Sequence, residues 1–230
     1  MPAQVDTKPL ILSVETATLA GSVVLARAEQ MLAEFVGNAA SSHSNSLLND
    51  IDRLLSDAHI DLSQIDLFAV ASGPGSFTGL RIGIATVKGL AATLNCPCVG
   101  IPTLQAVAHS AGASEKTVAL LHAGRGEVFA QLLSVTREGE VTALDQATHI
   151  APQKLFEKYS SFEDVLWCGE WAAANRAILP GSARIASLAK NLAEHVSSLA
   201  LMRFREQRVE HPDALQAIYV RPSDAELKVQ

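Results

Sequence analysis

The residues best placed to do chemistry lie in two short stretches rich in glycine and hydroxyl groups. The first, Gly73-Pro74-Gly75-Ser76-Phe77-Thr78-Gly79, follows a continuous apolar run and opens a long helical pattern. Backbone N–H groups and a helix dipole can receive an anion at such a junction. A dinucleotide site would need an acidic residue about 20 positions further on to hold a ribose. Residues 67–114 contain no Asp or Glu, so that reading fails. A triphosphate-cradling loop fails too, because Gly-Lys-Ser and Gly-Lys-Thr are both absent. Pro74 removes one donor besides. Gly73 and Gly75 are left open between a tight strand-to-helix turn and a vestigial phosphate contact.

The second stretch is Glu15-Thr16-Ala17-Thr18, between two apolar runs. Glu15, Thr16 and Thr18 could offer hydroxyls and backbone donors to a phosphate, with the carboxylate holding a metal through water. An ordinary polar hairpin turn accounts for the same residues. The seven histidines, His43, His59, His109, His122, His149, His195 and His211, include no pair three or four residues apart, so no helix presents a zinc pair. Cys96 and Cys98 are spaced wrongly for a zinc knuckle, and no Gly-x-Ser-x-Gly elbow occurs. No catalytic and no metal-binding residue is nominated. Arg203, Arg205 and Arg208 sit among Glu206 and Glu210 and read as a solvated mixed face.

The elements around these residues follow from periodicity. Residues 10–14 and 22–25 form a hairpin around the first turn, and 31–36 adds a third strand. Leu47, Leu48, Ile51, Leu54, Leu55 and Ala58 recur at helical spacing over 44–58, with Ser44 or Asn45 as the cap. Residues 65–71 form a strand buried on both faces. Residues 80–94 are apolar almost all round and therefore covered on two sides. In that helix Gly79, Gly83, Thr86 and Gly89, with Ala85 and Ala92, make a smooth surface. Each helical glycine costs about 1 kcal/mol relative to alanine, so something must offset it. Close packing on the sheet is one explanation. The other is a partner interface built jointly with Leu47, Leu48, Ile51 and Leu55.

The second half repeats the plan more weakly. Strands over 117–121 and 128–135 flank the turn His122-Ala123-Gly124-Arg125-Gly126, and a short strand over 164–168 leads through Gly169 into a helix over 171–178. A helix over 187–205 and an irregular tail over 211–230 complete the chain. Among 230 residues, 48% are apolar and 18% charged, which describes a globular protein. The formal net charge of −6 gives no general attraction to phosphate backbones. With three cysteines, no basic-then-apolar leader and no membrane-length apolar run, the expected location is the reducing cytoplasm.

Several of these segments resemble one family. LILSVETATLAGSVVL at 10–25, GPGSFTGLRIGIATVKGLA at 73–91, GIPTL at 100–104 and GRGEVFA at 124–130 are similar to the TsaB (YeaZ) family of the sugar kinase, heat-shock ATPase and actin superfamily. The resemblance covers most of 8–135 and is looser beyond, resting there on Gly169, Trp171 and Ile218-Tyr219-Val220-Arg221-Pro222. It implies an α/β protein of two actin-like (ribonuclease H-like) lobes, each a mixed sheet flanked by helices, divided as 8–108 and 109–230. The implied role is that of a non-catalytic scaffold or activating subunit in making threonylcarbamoyladenosine at tRNA position 37. It would bind the catalytic paralogue TsaD and, with it, TsaE, and form a homodimer when alone. tRNA would be met only through the complex.

By the same resemblance the partner contact falls on the two helices, at Leu47, Leu48, Ile51, Leu55, Gly79, Ile82, Gly83, Thr86 and Gly89. TsaD's metal-binding histidine positions correspond to Thr103 and Val107, and its nucleotide-contacting glycine pair to Gly169 and Glu170. No cofactor is then required by this chain, with ATP or ADP bound weakly or at a shared interface. The alternative is a stand-alone ATP-dependent phosphotransferase using the turn from Glu15 to Thr18. A zinc metallopeptidase is a third reading, which metal analysis would test.

Overall fold

Leu10–Glu15 forms strand β1, and all six of its residues are buried. A strand covered on both faces needs a layer on each side. It pairs antiparallel with β2 (Ser22–Arg27) and parallel with β4 (Leu67–Gly73). With β3 (Gln30–Val36) and β5 (Cys98–Pro102) the order is β3-β2-β1-β4-β5, a mixed sheet. The structure is a computed structural model that describes residues 8–37, 46–179, 183–187 and 189–220.

Alternation along the strands divides the side chains between two layers. Leu10, Leu12, Val14, Val23, Leu25, Phe68 and Val70 meet Ile51, Leu54 and Leu55 of α1 (Leu47–Asp57) and Ile84 and Val87 of α2 (Phe77–Leu94). On the opposite face Val24 and Ala26 pack on Ala193 of α6 (Leu192–Arg205). There the Ala193 N–H donates to Ser22 Oγ (3.0 Å), and Asn191 Nδ2 donates to Glu34 Oε2 (2.6 Å). The caps expected at Ser44 or Asn45 lie outside the described residues, and Ser46 stands at the N-cap of α1.

The second sheet is built on a long hairpin, β6 (Ser114–Gly124) and β7 (Glu127–Val135). Its order is β11-β10-β6-β7-β8, with β9 also pairing β7. The added strands are β8 (Val141–Ala143), β9 (Thr148–Ile150), β10 (Leu166–Cys168) and β11 (Arg184–Ile185). Both β11 and β6 run parallel to β10, so this sheet is mixed as well. Val118, Leu120, Val128, Ala130 and Trp167 form a core with Leu155 and Tyr159 of α4 (Pro152–Tyr159) and Trp171 of α5 (Glu170–Ala174). Helix α3 (Thr103–Ser110) packs on β6 and β7.

By their contacts the residues divide into two units, 1–72 with 78–101 and 191–217, and 73–77 with 102–190 and 218–230. This differs from the division 8–108 and 109–230 expected from sequence order. The physical reason is α6, which supplies the second covering layer of the first sheet from late in the chain. The segment after it is anchored rather than loose: Cys98 and Glu210 exchange backbone hydrogen bonds (3.0 and 2.8 Å), and Leu215 is buried. Gly100 gives that side chain its room, since a Cβ there would lie 3.0 Å from Leu215 Cδ1.

Candidate functional site

The turn after β1 comes first, because its donors were nominated for a phosphate. Glu15 ends β1 buried at 1% exposure. Its Oε1 accepts the Thr18 N–H at 2.7 Å and its Oε2 accepts the Thr18 hydroxyl at 2.8 Å. The Thr16 hydroxyl points elsewhere and donates to the Gly79 carbonyl at 2.7 Å. Gly83 makes that orientation fit, because a Cβ at 83 would run into Thr16 Oγ1. The Thr18 hydroxyl thus closes the turn on itself, and the Thr16 hydroxyl ties it to the start of α2.

Gly73 and Gly75 fall in the other unit from Glu15, Thr16 and Thr18. Gly73 ends β4 with a φ of 113°, a backbone region that favours glycine. Its N–H donates to Thr103 Oγ1 at 3.0 Å. Thr103 opens α3 fully buried, and Val107 one turn on is buried too. Positions 103 and 107 therefore carry a hydroxyl accepting a backbone N–H and an apolar core side chain. Among the described residues, no three His, Cys, Asp or Glu side chains gather as a metal set.

The helices present their nominated residues unequally. Leu47, Ile51, Leu55, Gly79 and Gly83 are buried in their own unit. Helical spacing marks the face of α1 that its own sheet covers. What remains open is Leu48 on α1, 60% exposed, and on α2 Ala85, Gly89, Ala92 and Thr93, with Ile82 and Thr86 half-buried. Gly89 has no atom within 4 Å of where a Cβ would stand. Nothing inside the unit requires glycine there.

In the second unit, Gly169 takes a φ of 100° and its missing Cβ admits the Leu120 carbonyl, so this position is a close approach of backbone to backbone. Glu170 follows, and its Oε1 accepts the His122 N–H over a long 3.5 Å. The turn His122 to Arg125 ends in three positive φ values at Gly124, Arg125 and Gly126. Beside it, Glu127 Oε2 and His149 Nε2 lie 2.7 Å apart.

Asp145 is a hub that sequence reading missed. Its Oδ1 accepts the Leu132 N–H (2.7 Å), and its Oδ2 meets Tyr159 Oη (2.9 Å) and Lys158 Nζ (2.7 Å). Burial, with Asp145 alongside, pushes the Tyr159 phenol far above its ordinary range. A Lys-Tyr pair closing a short helix is the signal that could have found it. The thiols are inert by environment: burial raises Cys96 to about 12 and Cys98 to about 11, and Cys168 further still.

The family model described as "TsaD: tRNA N6-adenosine threonylcarbamoyltransferase" matches residues 30–220. The tRNA threonylcarbamoyladenosine biosynthesis protein TsaB of Escherichia coli (strain K12) is 34% identical over 122 residues, 52% of each chain. The aligned stretch therefore spans about half the length of such curated relatives. YeaZ from Pseudomonas aeruginosa superposes with a TM-score of 0.79 at 28% identity, covering 92% of this chain and 99% of that one. The activator of 2-hydroxyisocaproyl-CoA dehydratase from Clostridium difficile, at TM-score 0.51 and 10% identity over 91% of this chain and 99% of that one, shares the fold. The architecture is thus the expected α/β pair of actin-like lobes, each a mixed sheet flanked by helices. With its family model matched over 30–220 and its relatives on the TsaB/YeaZ branch, the chain belongs to the TsaD (tRNA N6-adenosine threonylcarbamoyltransferase) family.

Proposed function

We propose that this chain is a non-catalytic scaffold in cytoplasmic biosynthesis of threonylcarbamoyladenosine at tRNA position 37. It docks the catalytic paralogue TsaD, and with it TsaE, through the open face of α2 and the exposed Leu48 of α1. One observation carries the reading: Gly89 is exposed in mid-helix with nothing near its missing Cβ. Helical glycine costs about 1 kcal/mol relative to alanine. Gly83 repays that cost internally through Thr16, whereas Gly89 has no such neighbour. A partner helix approaching closely along Ile82, Ala85, Thr86, Gly89 and Ala92 supplies the missing reason. An interface of ordinary size would bury about 1,200–2,000 Å² in total.

The same face pairs with itself in a homodimer when TsaD is absent. The chain needs no cofactor of its own, and ATP or ADP is bound weakly or at an interface shared with TsaD. The net charge of −6 favours tRNA being held by the partner. The chain has no intrinsic activity and acts by fixing TsaD in a productive conformation.

Reconstitution tests this directly. With TsaD, TsaE and the adenylate-forming synthase, tRNA modification is expected only when this chain is present, and Thr86→Glu or Gly89→Arg should abolish both modification and copurification with TsaD while the variant stays folded. Equal modification without the chain, or retained TsaD binding by both variants, overturns the reading.

A further inference from the structure

The segment after α6 returns to the first sheet along the outer edge of β5. Cys98 and Glu210 exchange two backbone hydrogen bonds there, and the Cys98 thiol donates to the same Glu210 carbonyl at 3.7 Å. Over 208–217 only Pro212 and Leu215 are buried, the rest being exposed or half-buried. From α2, Lys88 donates through Nζ to the Asp213 and Leu215 carbonyls at 3.3 and 3.2 Å. The segment is therefore held by a single strand bridge, one buried leucine and one lysine.

The seat of that leucine carries a polar cost. A Cβ at Gly100 would stand 3.0 Å from Leu215 Cδ1 and 3.1 Å from Ser72 Cβ, so the three residues converge. Ser72 Oγ is buried there without a hydrogen-bond partner. Such a hydroxyl penalises the closed arrangement, and water relieves the penalty once the seat opens. The closed arrangement also restrains a thiol: burial pushes Cys98 up to about 11, Glu210 adds to the rise, and Lys88 opposes it. Withdrawing the segment removes the cover and the Glu210 charge, whereas Lys88 stays on α2 and favours a thiolate.

We propose that residues 208–217 are a strap that opens and closes over β5 while the rest of the first unit stays folded, with Lys88 as its latch, and that this motion switches the Cys98 thiol between a shielded state and one open to soft electrophiles.

Two measurements test the proposal. The first is alkylation by iodoacetamide, in which the thiolate sulfur displaces iodide from the reagent's methylene carbon, read by mass spectrometry at each cysteine. Lys88→Met keeps the apolar stem and loses the donors, so Cys98 should be alkylated about tenfold faster than in the wild type. Cys96, whose thiol donates to the Ile65 carbonyl, and Cys168, whose thiol meets the Val107 and Val118 carbonyls, should keep their wild-type rates. Lys88→Arg retains charge and donors and should stay within about twofold of the wild type. The second is amide hydrogen exchange in the wild-type protein, which stands even should Lys88→Met fail to fold. The Cys98 and Glu210 amides should exchange at a common rate, about tenfold or more faster than those of β1 and β4. Equal Cys98 alkylation in Lys88→Met and the wild type overturns the proposal, as does a rise shared by Cys96. So do Cys98 and Glu210 amides that exchange no faster than β1 and β4.

Discussion

The contact between Thr16 and Gly83 joins a turn to a helix across a long stretch of chain, and it makes a quantitative claim. Gly83→Ala places a methyl group against the Thr16 hydroxyl and should destabilise the protein by about 1–3 kcal/mol through overpacking. Thr16→Ala alone should cost about 1 kcal/mol from the lost bond to Gly79. In the double variant the methyl finds the hydroxyl's space, so the combined loss should be smaller than the sum by about 0.5–3 kcal/mol, measured by urea unfolding. Strict additivity would show that the contact is not what keeps glycine at 83. The sequence nominated Glu15, Thr16 and Thr18 together as a turn that could offer hydroxyls to a phosphate. It could not show that one donor faces Gly79, because that partner lies 63 residues away. The buried thiols set a pH dependence. Cys96 ionises at about 12 when folded against an ordinary 9.0. Above pH 9 the unfolded chain therefore releases a proton that the folded one keeps, and stability falls as pH rises from about 9 toward 12. Cys96→Ala should flatten that fall by up to about 1.4 kcal/mol per pH unit, read from unfolding curves across the range.

Helix α2 puts small residues to two uses. Gly79 and Gly83, four residues apart, share the inward face, whereas Gly89, six residues beyond Gly83, falls on the outward one. Gly89→Ala should therefore stabilise the isolated chain by up to about 1 kcal/mol, in contrast to Gly83→Ala, with melting temperature as the readout. The same substitution should weaken capture of TsaD if the two helices approach closely there. Helix α1 was readable because Leu47, Ile51, Leu54 and Leu55 make one clear stripe. By contrast, β5 runs straight into α3 at Pro102–Thr103 with no intervening loop, so a strand and a helix merge into one apolar run. Strands β8 and β9 have only three residues each, too few to show alternation, and their placement depends on pairing with β7. Asp145 was hidden for the same reason, since its donors come from β7 and α4.

The repeated hairpins are legible in the sequence, whereas sequence order gives no sign that a late helix returns to an early sheet. Ser22 Oγ on β2 and the Ala193 N–H on α6 are partners 171 residues apart. Removing everything after Lys190 should accordingly leave Val24 and Ala26 uncovered and abolish cooperative unfolding of the first unit, as read by loss of amide protection in β1 and β2. Protection persisting in those strands would mean that α6 is dispensable. The charge balance makes a separate claim: at physiological ionic strength the purified chain should give no shift of a tRNA anticodon stem-loop in a gel. The late arrival of α6 also has a consequence for vectorial synthesis. The ribosome extrudes residues 102–190, which carry the whole of the second hydrophobic cluster, before α6 emerges from the exit tunnel. Residues 8–101 must wait through that interval with one side of their sheet bare, a natural substrate for holdase chaperones and a point where slower elongation would raise the yield lost to aggregation.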